Sequence, residues 1–295
     1  MNNPIIMHIN YAEFPGGHFG KKTIDDVCRF AATTGFDGIE FRGDVPKHLS
    51  ELSFREYAEQ IAAAKKKYGL STIMFGFDVD KCTNDDSAVR AARIAETIEK
   101  VKIAREICGS SVCNTSADVK VSYPTPTQPG YEYQGSSIAT DRDWEMTADA
   151  FAEIAKTLEA IDLKLAFDTH MNYIHDLPTA AKKLVDMIDS THVGINLDYG
   201  NAVYFPNPPA LEDAINTCGD KLFHTHLKNS VGVPGTHFRL PTSLEEGTIN
   251  HAAYLGKLAS IGYTGTIGIE APRPGDRLWF AKCDIAYAKK LIEEL

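Results

Sequence analysis

The stretch 222-LFHTHLKN-229 sets two histidines one residue apart inside an apolar, strand-like run. Side chains at i and i+2 of a strand leave from one face, so His224 and His226 point one way while Phe223, Thr225 and Leu227 point the other. Leu222, Phe223 and Leu227 leave no face suited to water, the signature of a strand covered on both sides rather than of a half-exposed antiparallel sheet. Two imidazoles on one buried face are either a hydrogen-bonded core pair or part of a metal or substrate site.

Seven further runs of this kind occur along the chain: 4-PIIMHIN-10, 36-FDGIEF-41, 70-LSTIMFGF-77, 110-SSVCNTS-116, 163-LKLAFDTH-170, 192-HVGINLDYG-200 and 264-TGTIGIEA-271. Segments with helical spacing separate them. In 24-IDDVCRFAATTG-35, Ile24, Val27, Cys28 and Ala31 share a face and Gly35 suits the residue after a helix end; 53-SFREYAEQIAAAKKKYG-69 closes the same way at Gly69. Further helices are expected over 85–107, 143–161, 177–188, 209–217, 250–260 and 284–295. Strands joined by crossovers of this length form a parallel sheet, and eight units predict a closed (β/α)8 TIM barrel as one domain over residues 1–295. A doubly wound open sheet is the alternative, but the FPGGHFG segment after the first strand does not fit G-x-G-x-x-G.

Composition agrees with a folded domain: 43% of the residues are hydrophobic and no low-complexity run interrupts the chain. Forty acidic against thirty basic residues give a net charge of −10, which disfavours nucleic acid as a partner. The one basic cluster, Lys65 to Lys67, falls at a helix end, where cations suit the dipole. Six cysteines without C-x-x-C spacing, no secretory signal and no run of 18 apolar residues point to the reducing cytoplasm and away from the membrane.

Ligand-type side chains cluster at strand ends. Strand five ends at Asp168 with His170 two beyond, strand six at Asp198, strand seven holds His224 and His226, and strand eight ends at Glu270. In a barrel these ends converge on one cavity. Each single residue has an ordinary alternative: Glu270 pairing with Arg273, Asp198 capping a helix, Asp168 meeting a lysine. Together, Asp168, Asp198, His226 and Glu270 offer three carboxylates and an imidazole to one divalent ion, a set suited to Mn²⁺, Mg²⁺ or Co²⁺ more than to a closed structural Zn²⁺ site. His224 is a donor behind the site or a substrate contact, and His8 and Glu40 line the open end of the barrel. Two long loops, 115–141 and 229–247, follow strand ends as lids or oligomer contacts, the first through Tyr131 and Tyr133. Arg239 in the second is a candidate for a substrate oxygen or phosphate, and Trp279 with Phe280 is expected to pack the last helix on the barrel.

The segments GFDGIEF, NLDYGN, HTHLKN, LEEGTIN and GYTGTIGIEAP together resemble the xylose isomerase-like barrels, the sugar phosphate isomerase/epimerase superfamily, over nearly the whole chain. That superfamily includes keto-sugar 3-epimerases, dehydroshikimate and inosose dehydratases and endonuclease IV. The resemblance implies the same four ligands, a sugar substrate and proton removal beside a carbonyl through an enediolate. Glu270 is then the leading base, with Asp168 and His170 as further proton-moving groups. It differs in having Asp168 where Glu is common, Asn201 in place of the His of D-x-x-H, and Asn229 in place of the Asp of H-x-K-D. Isomerisation or epimerisation is the first expectation. A lyase like the C-glycoside deglycosidases, supported by the extra imidazoles of 168-DTHMNYIHD-176, and a sugar-binding barrel needing a second subunit are the alternatives.

Overall fold

A computed structural model describes residues 1–12, 23–122, 130–236, 238–271 and 273–295; the FPGGHFG segment, residues 123–129 of the first long loop and His237 in the second lie outside the described residues. Among the described residues, the barrel strands are β1 (Ile5–His8), β2 (Gly38–Arg42), β3 (Thr72–Asp78), β4 (Val112–Ser116), β5 (Lys164–Asp168), β6 (Val193–Asp198), β7 (Leu222–Leu227) and β10 (Thr266–Ile269). They close into a barrel in the order β1-β10-β7-β6-β5-β4-β3-β2, every pair parallel. The expected TIM barrel is the observed fold.

Crossover helices cover the outside: α1 (Ile24–Thr34), α2 (Phe54–Tyr68), α3 (Ser87–Cys108), α4 (Asp141–Ile161), α5 (Pro178–Ile188), α7 (Leu211–Cys218), α8 (His251–Ser260) and α9 (Arg277–Glu293), with one extra turn, α6 (Tyr199–Ala202), after β6. Their starts are written in the sequence. Thr23, Ser53 and Thr140 each accept from the third helical amide, and Asp26, Glu56 and Asp143 reach back to complete capping boxes. Gly35 and Gly69 take the left-handed conformation at the helix ends (φ 101° and 71°), which glycine adopts without a Cβ penalty.

Outward strand residues such as Met7, Ile39, Phe75 and Phe167 join the main core under the helices. Inside the barrel, Ile6, Met74, Val112, Ala166 and Phe223 form a separate apolar plug at the N-terminal end. Phe223 was expected on the outer face with Thr225; a register shift between β6 and β7 at Ile195/Asn196 turns it inward instead. Gly194 makes this fit, since a Cβ there would lie 2.4 Å from the Phe223 ring. Above the plug the interior becomes polar, and that layer carries the site.

Three expectations change. The last helix begins at Arg277, earlier than 284, because Asp276 caps the Trp279 amide; Trp279 is exposed (60%), so only Phe280 packs against the barrel. Arg273 does not meet Glu270: it pairs with buried Asp284 at 2.8 and 3.1 Å, beside the Tyr11 hydroxyl. The second long loop carries structure of its own, since β8 (Asn229–Gly232) and β9 (Arg239–Thr242) form an antiparallel ribbon within it.

Candidate functional site

At the C-terminal mouth of the barrel, Asp168 ends β5, Asp198 ends β6, His226 lies near the end of β7, and Glu270 follows β10. Their ligand atoms lie within 4.8 Å of one another. His226 Nδ1 is the hub, 3.1 Å from Glu270 Oε2, 3.5 Å from Asp198 Oδ2 and 3.9 Å from Asp168 Oδ2. Asn196 Nδ2 also lies 3.2 Å from this nitrogen and donates to Asn114 Oδ1. Asp198 divides its two oxygens: Oδ1 accepts from the Asn201 amide and caps α6, while Oδ2 turns to the cluster. The capping role and the ligand role are therefore compatible.

Lys228 was missed from sequence. Its Nζ lies 2.7 Å from Asp198 Oδ2 and 3.0 Å from Glu270 Oε2. The signal was present, because Lys228 stands two residues after His226 and so shares its face. Gly200 makes room for its stem, since a Cβ there would lie 1.9 Å from Lys228 Cγ. Asn10, two residues after His8, was also missed; its Nδ2 donates to Glu270 Oε1 at 2.6 Å and its Oδ1 accepts from Arg42.

The other expected residues divide into two groups. His8, Glu40, His170, Asp168 and Glu270 line one cavity of about 360 Å³, together with Asn10, Arg42, Asp78, Asn114, Ser116 and Tyr173 among others. His170 holds the Met171 carbonyl with Nδ1 at 2.8 Å and lies edge-on to Tyr173. His224 and Arg239 are elsewhere. His224 is fully buried beside the cavity rather than in its lining, with Nδ1 against Thr266 and Nε2 3.4 Å from Glu40. Arg239 is fixed within the ribbon: its guanidinium donates to Ser230 Oγ and carbonyl and to Thr248, and lies over Tyr204. Neither is placed as a substrate contact. His175 is likewise occupied, with Nε2 on the Ala117 amide and Nδ1 on the Asp168 carbonyl.

Electrostatics separate the acids. Burial, with Asp198 and Glu270 nearby and His226 opposing, pushes Asp168 up to about 7. Burial acts the same way on Glu270 and Glu40, but Lys228 and His8 outweigh it for Glu270, and His226 and His8 for Glu40, so both stay well below the usual carboxylate range. Burial works against the charge on His226, yet Glu40, Asp198 and Glu270 hold its pKa well above the ordinary value. Burial lowers His8 to about 4, with Glu270 and Glu40 opposing.

Do these residues fit a divalent cation? The carboxylates of Asp198 and Glu40, fully buried, and of Asp168 and Glu270, partly buried, converge on the Lys228 ammonium and the His226 ring, an acid-rich set to which a divalent cation would add positive charge. Among the described residues Asp168 Oδ1 is buried without a hydrogen-bond partner, a costly state for a carboxylate oxygen. Three hard oxygen donors and one imidazole suit Mn²⁺, Mg²⁺ or Co²⁺. The fit is good.

Comparison with known proteins bears on the family and the fold. The family model described as "Xylose isomerase-like TIM barrel" matches residues 28–292. The chain is 26% identical over 276 residues to 2-oxo-tetronate isomerase of Haemophilus influenzae, covering 90% of this chain and 95% of that protein. It is 28% identical over 145 residues to an uncharacterised protein of Methanocaldococcus jannaschii, and that match spans about half of the relative (48%). Among solved structures, D-psicose 3-epimerase in the presence of D-fructose superposes with a TM-score of 0.74 at 17% identity, covering 98% of this chain and 99% of that one. A xylose isomerase-like TIM barrel protein from Mycobacterium smegmatis in complex with magnesium gives 0.74 at 19% identity, covering 99% and 97%. At these identities the structural matches speak for the fold.

Proposed function

We propose, from the premise that this chain belongs to the xylose isomerase-like TIM barrel family, that it is a divalent-metal-dependent isomerase or epimerase of a small keto-sugar or sugar acid. The observation that carries this reading is the meeting of Asp168, Asp198, His226 and Glu270 beside a polar cavity at the barrel mouth. These four residues would hold the ion, Mn²⁺ ahead of Mg²⁺, Co²⁺ or Zn²⁺. A bound divalent cation would supply positive charge where a substrate carbonyl oxygen becomes anionic, lowering the cost of removing a proton from the neighbouring carbon.

The protein's own groups then divide the work. Glu270 has both oxygens engaged, Oε1 by Asn10 and Oε2 beside Lys228 and His226, which suits holding better than proton transfer. Asp168, with one oxygen lacking a partner among the described residues, is better placed to take the proton, reversing the order expected from sequence. His170, on the same cavity wall, is the second proton-moving group. Asn10, Ser116 and Tyr173 offer polar partners for substrate hydroxyls. The name of the Haemophilus relative places 2-oxo-tetronate among the first compounds to test. All six cysteines are free, which suits the cytoplasm as the working compartment.

The test is deuterium exchange in D₂O by the Mn²⁺-loaded protein with ketoses, 3-keto-sugars and 2-oxo-tetronate. Incorporation beside the carbonyl without loss of a substituent is expected. Elimination would transfer the chain to the lyases, a reading that has lost one of its two extra imidazoles, because His175 is committed to backbone. No exchange with any member of the panel contradicts the proposal.

A further inference from the structure

Once Asp168, Asp198, His226 and Glu270 are read as ligands, Glu40 is left as a carboxylate only 1% exposed inside the barrel, where an ion loses its hydration. Its surroundings are built for it. Oε1 accepts from Asn114 Nδ2 at 3.0 Å and lies 4.0 Å from His8 Nε2. Oε2 lies 2.8 Å from His226 Nε2 and 3.4 Å from His224 Nε2. The opposite nitrogen of the same His226 ring is the one facing Asp168, Asp198 and Glu270. Gly268 leaves the space for this ring, since a Cβ there would lie 2.8 Å from His226 Cδ2.

An imidazole carries one proton when neutral, and the partner of one nitrogen decides the state of the other. A carboxylate accepting from Nε2–H keeps the proton there, fixes the ring's rotation and makes the Nδ1 lone pair more basic. We propose that Glu40 is a positioning residue, which holds His226 with its proton on Nε2 so that Nδ1 is the nitrogen offered to a divalent cation. Glu40 thus acts through His226, and its place in the cavity floor is secondary. The inference rests on the ligand reading above. Glu40, His224 and His226 also lie close enough to hold a second ion themselves, but a proton between Glu40 and His226 accounts for the 2.8 Å contact without one.

Titration of the metal-free protein with Mn²⁺, following free Mn²⁺ by electron paramagnetic resonance, tests this. The wild type is expected to bind one ion, and Glu40→Gln to bind it about 10- to 100-fold more weakly, with unchanged circular dichroism of the metal-free form. The Zn²⁺-loaded wild type, in long-range ¹H–¹⁵N spectra, is expected to show His226 metallated at Nδ1 and protonated at Nε2. That reading needs no variant, and decides the matter if Glu40→Gln does not fold. A smaller loss of affinity, two ions per wild-type chain, or metal on Nε2 overturns the role of Glu40. A wild type that binds no Mn²⁺ overturns instead the ligand reading on which it rests.

Discussion

Lys228 is the residue on which the charge of the metal-free site turns. Its ammonium, 13% exposed, is the near cation for Asp198 and Glu270, and Asp198 is wholly buried. Removing one partner of such a group leaves uncompensated charge, at a cost of about 3 kcal/mol or more. Lys228→Met is therefore expected to lower the metal-free melting temperature, and saturating Mn²⁺ to raise it by more than in the wild type; an equal or smaller shift on thermal melting would count against this. Asp168→Asn is expected to slow deuterium exchange by about 100-fold or more, and unchanged exchange would remove Asp168 as the proton acceptor. At this scale the carboxylates were legible because charge at the end of an apolar strand demands a partner. The ribbon that engages the Arg239 guanidinium was not legible, because loop length says nothing of pairing within the loop.

Strands place these groups through glycine as well as through polar residues. Gly268 on β10 faces both His226 and His224, and a Cβ would lie 2.8 and 2.9 Å from their rings. Gly268→Ala is expected to destabilise the protein by about 1–3 kcal/mol through overpacking and to weaken Mn²⁺ binding as well. Gly69→Ala provides the contrast: its positive φ of 71° costs about 1–2 kcal/mol, with nothing among the described residues within 4 Å of the new Cβ, and binding should not change. Urea unfolding and Mn²⁺ titration of both variants check the pair, and loss of binding in Gly69→Ala would undo the distinction. Helix starts after Thr23 and at Ser53 were readable because capping is local, whereas the fourth helix, expected from 143, starts at Asp141 behind its Thr140 cap. The start of α9 was overlooked at Asp276, and the inward turn of Phe223 depends on a register shift between two strands, which no single segment reveals.

Over the whole molecule, buried neutral histidines add to the response to acid. His251 on α8, stacked on Tyr254, has its pKa lowered by burial to about 4 from an ordinary 6.5. The unfolded chain then binds the proton more readily. The His251 contribution is fully present above pH 6.5 and is lost as pH falls toward 4, amounting to about 3 kcal/mol at most. Urea midpoints are expected to fall over this window and to fall less in His251→Phe; parallel pH profiles would contradict that. The barrel itself was legible because eight two-faced apolar runs joined by crossovers leave few topologies, and closure is what brings residues 168, 198, 226 and 270 to one end. The most direct measurement is an anomalous difference map at the manganese edge from crystals grown with Mn²⁺. One peak is expected, about 2.0–2.4 Å from oxygens of Asp168, Asp198 and Glu270 and from His226 Nδ1. No peak, or a peak that leaves any of these four side chains uncoordinated, would contradict the shared metal centre.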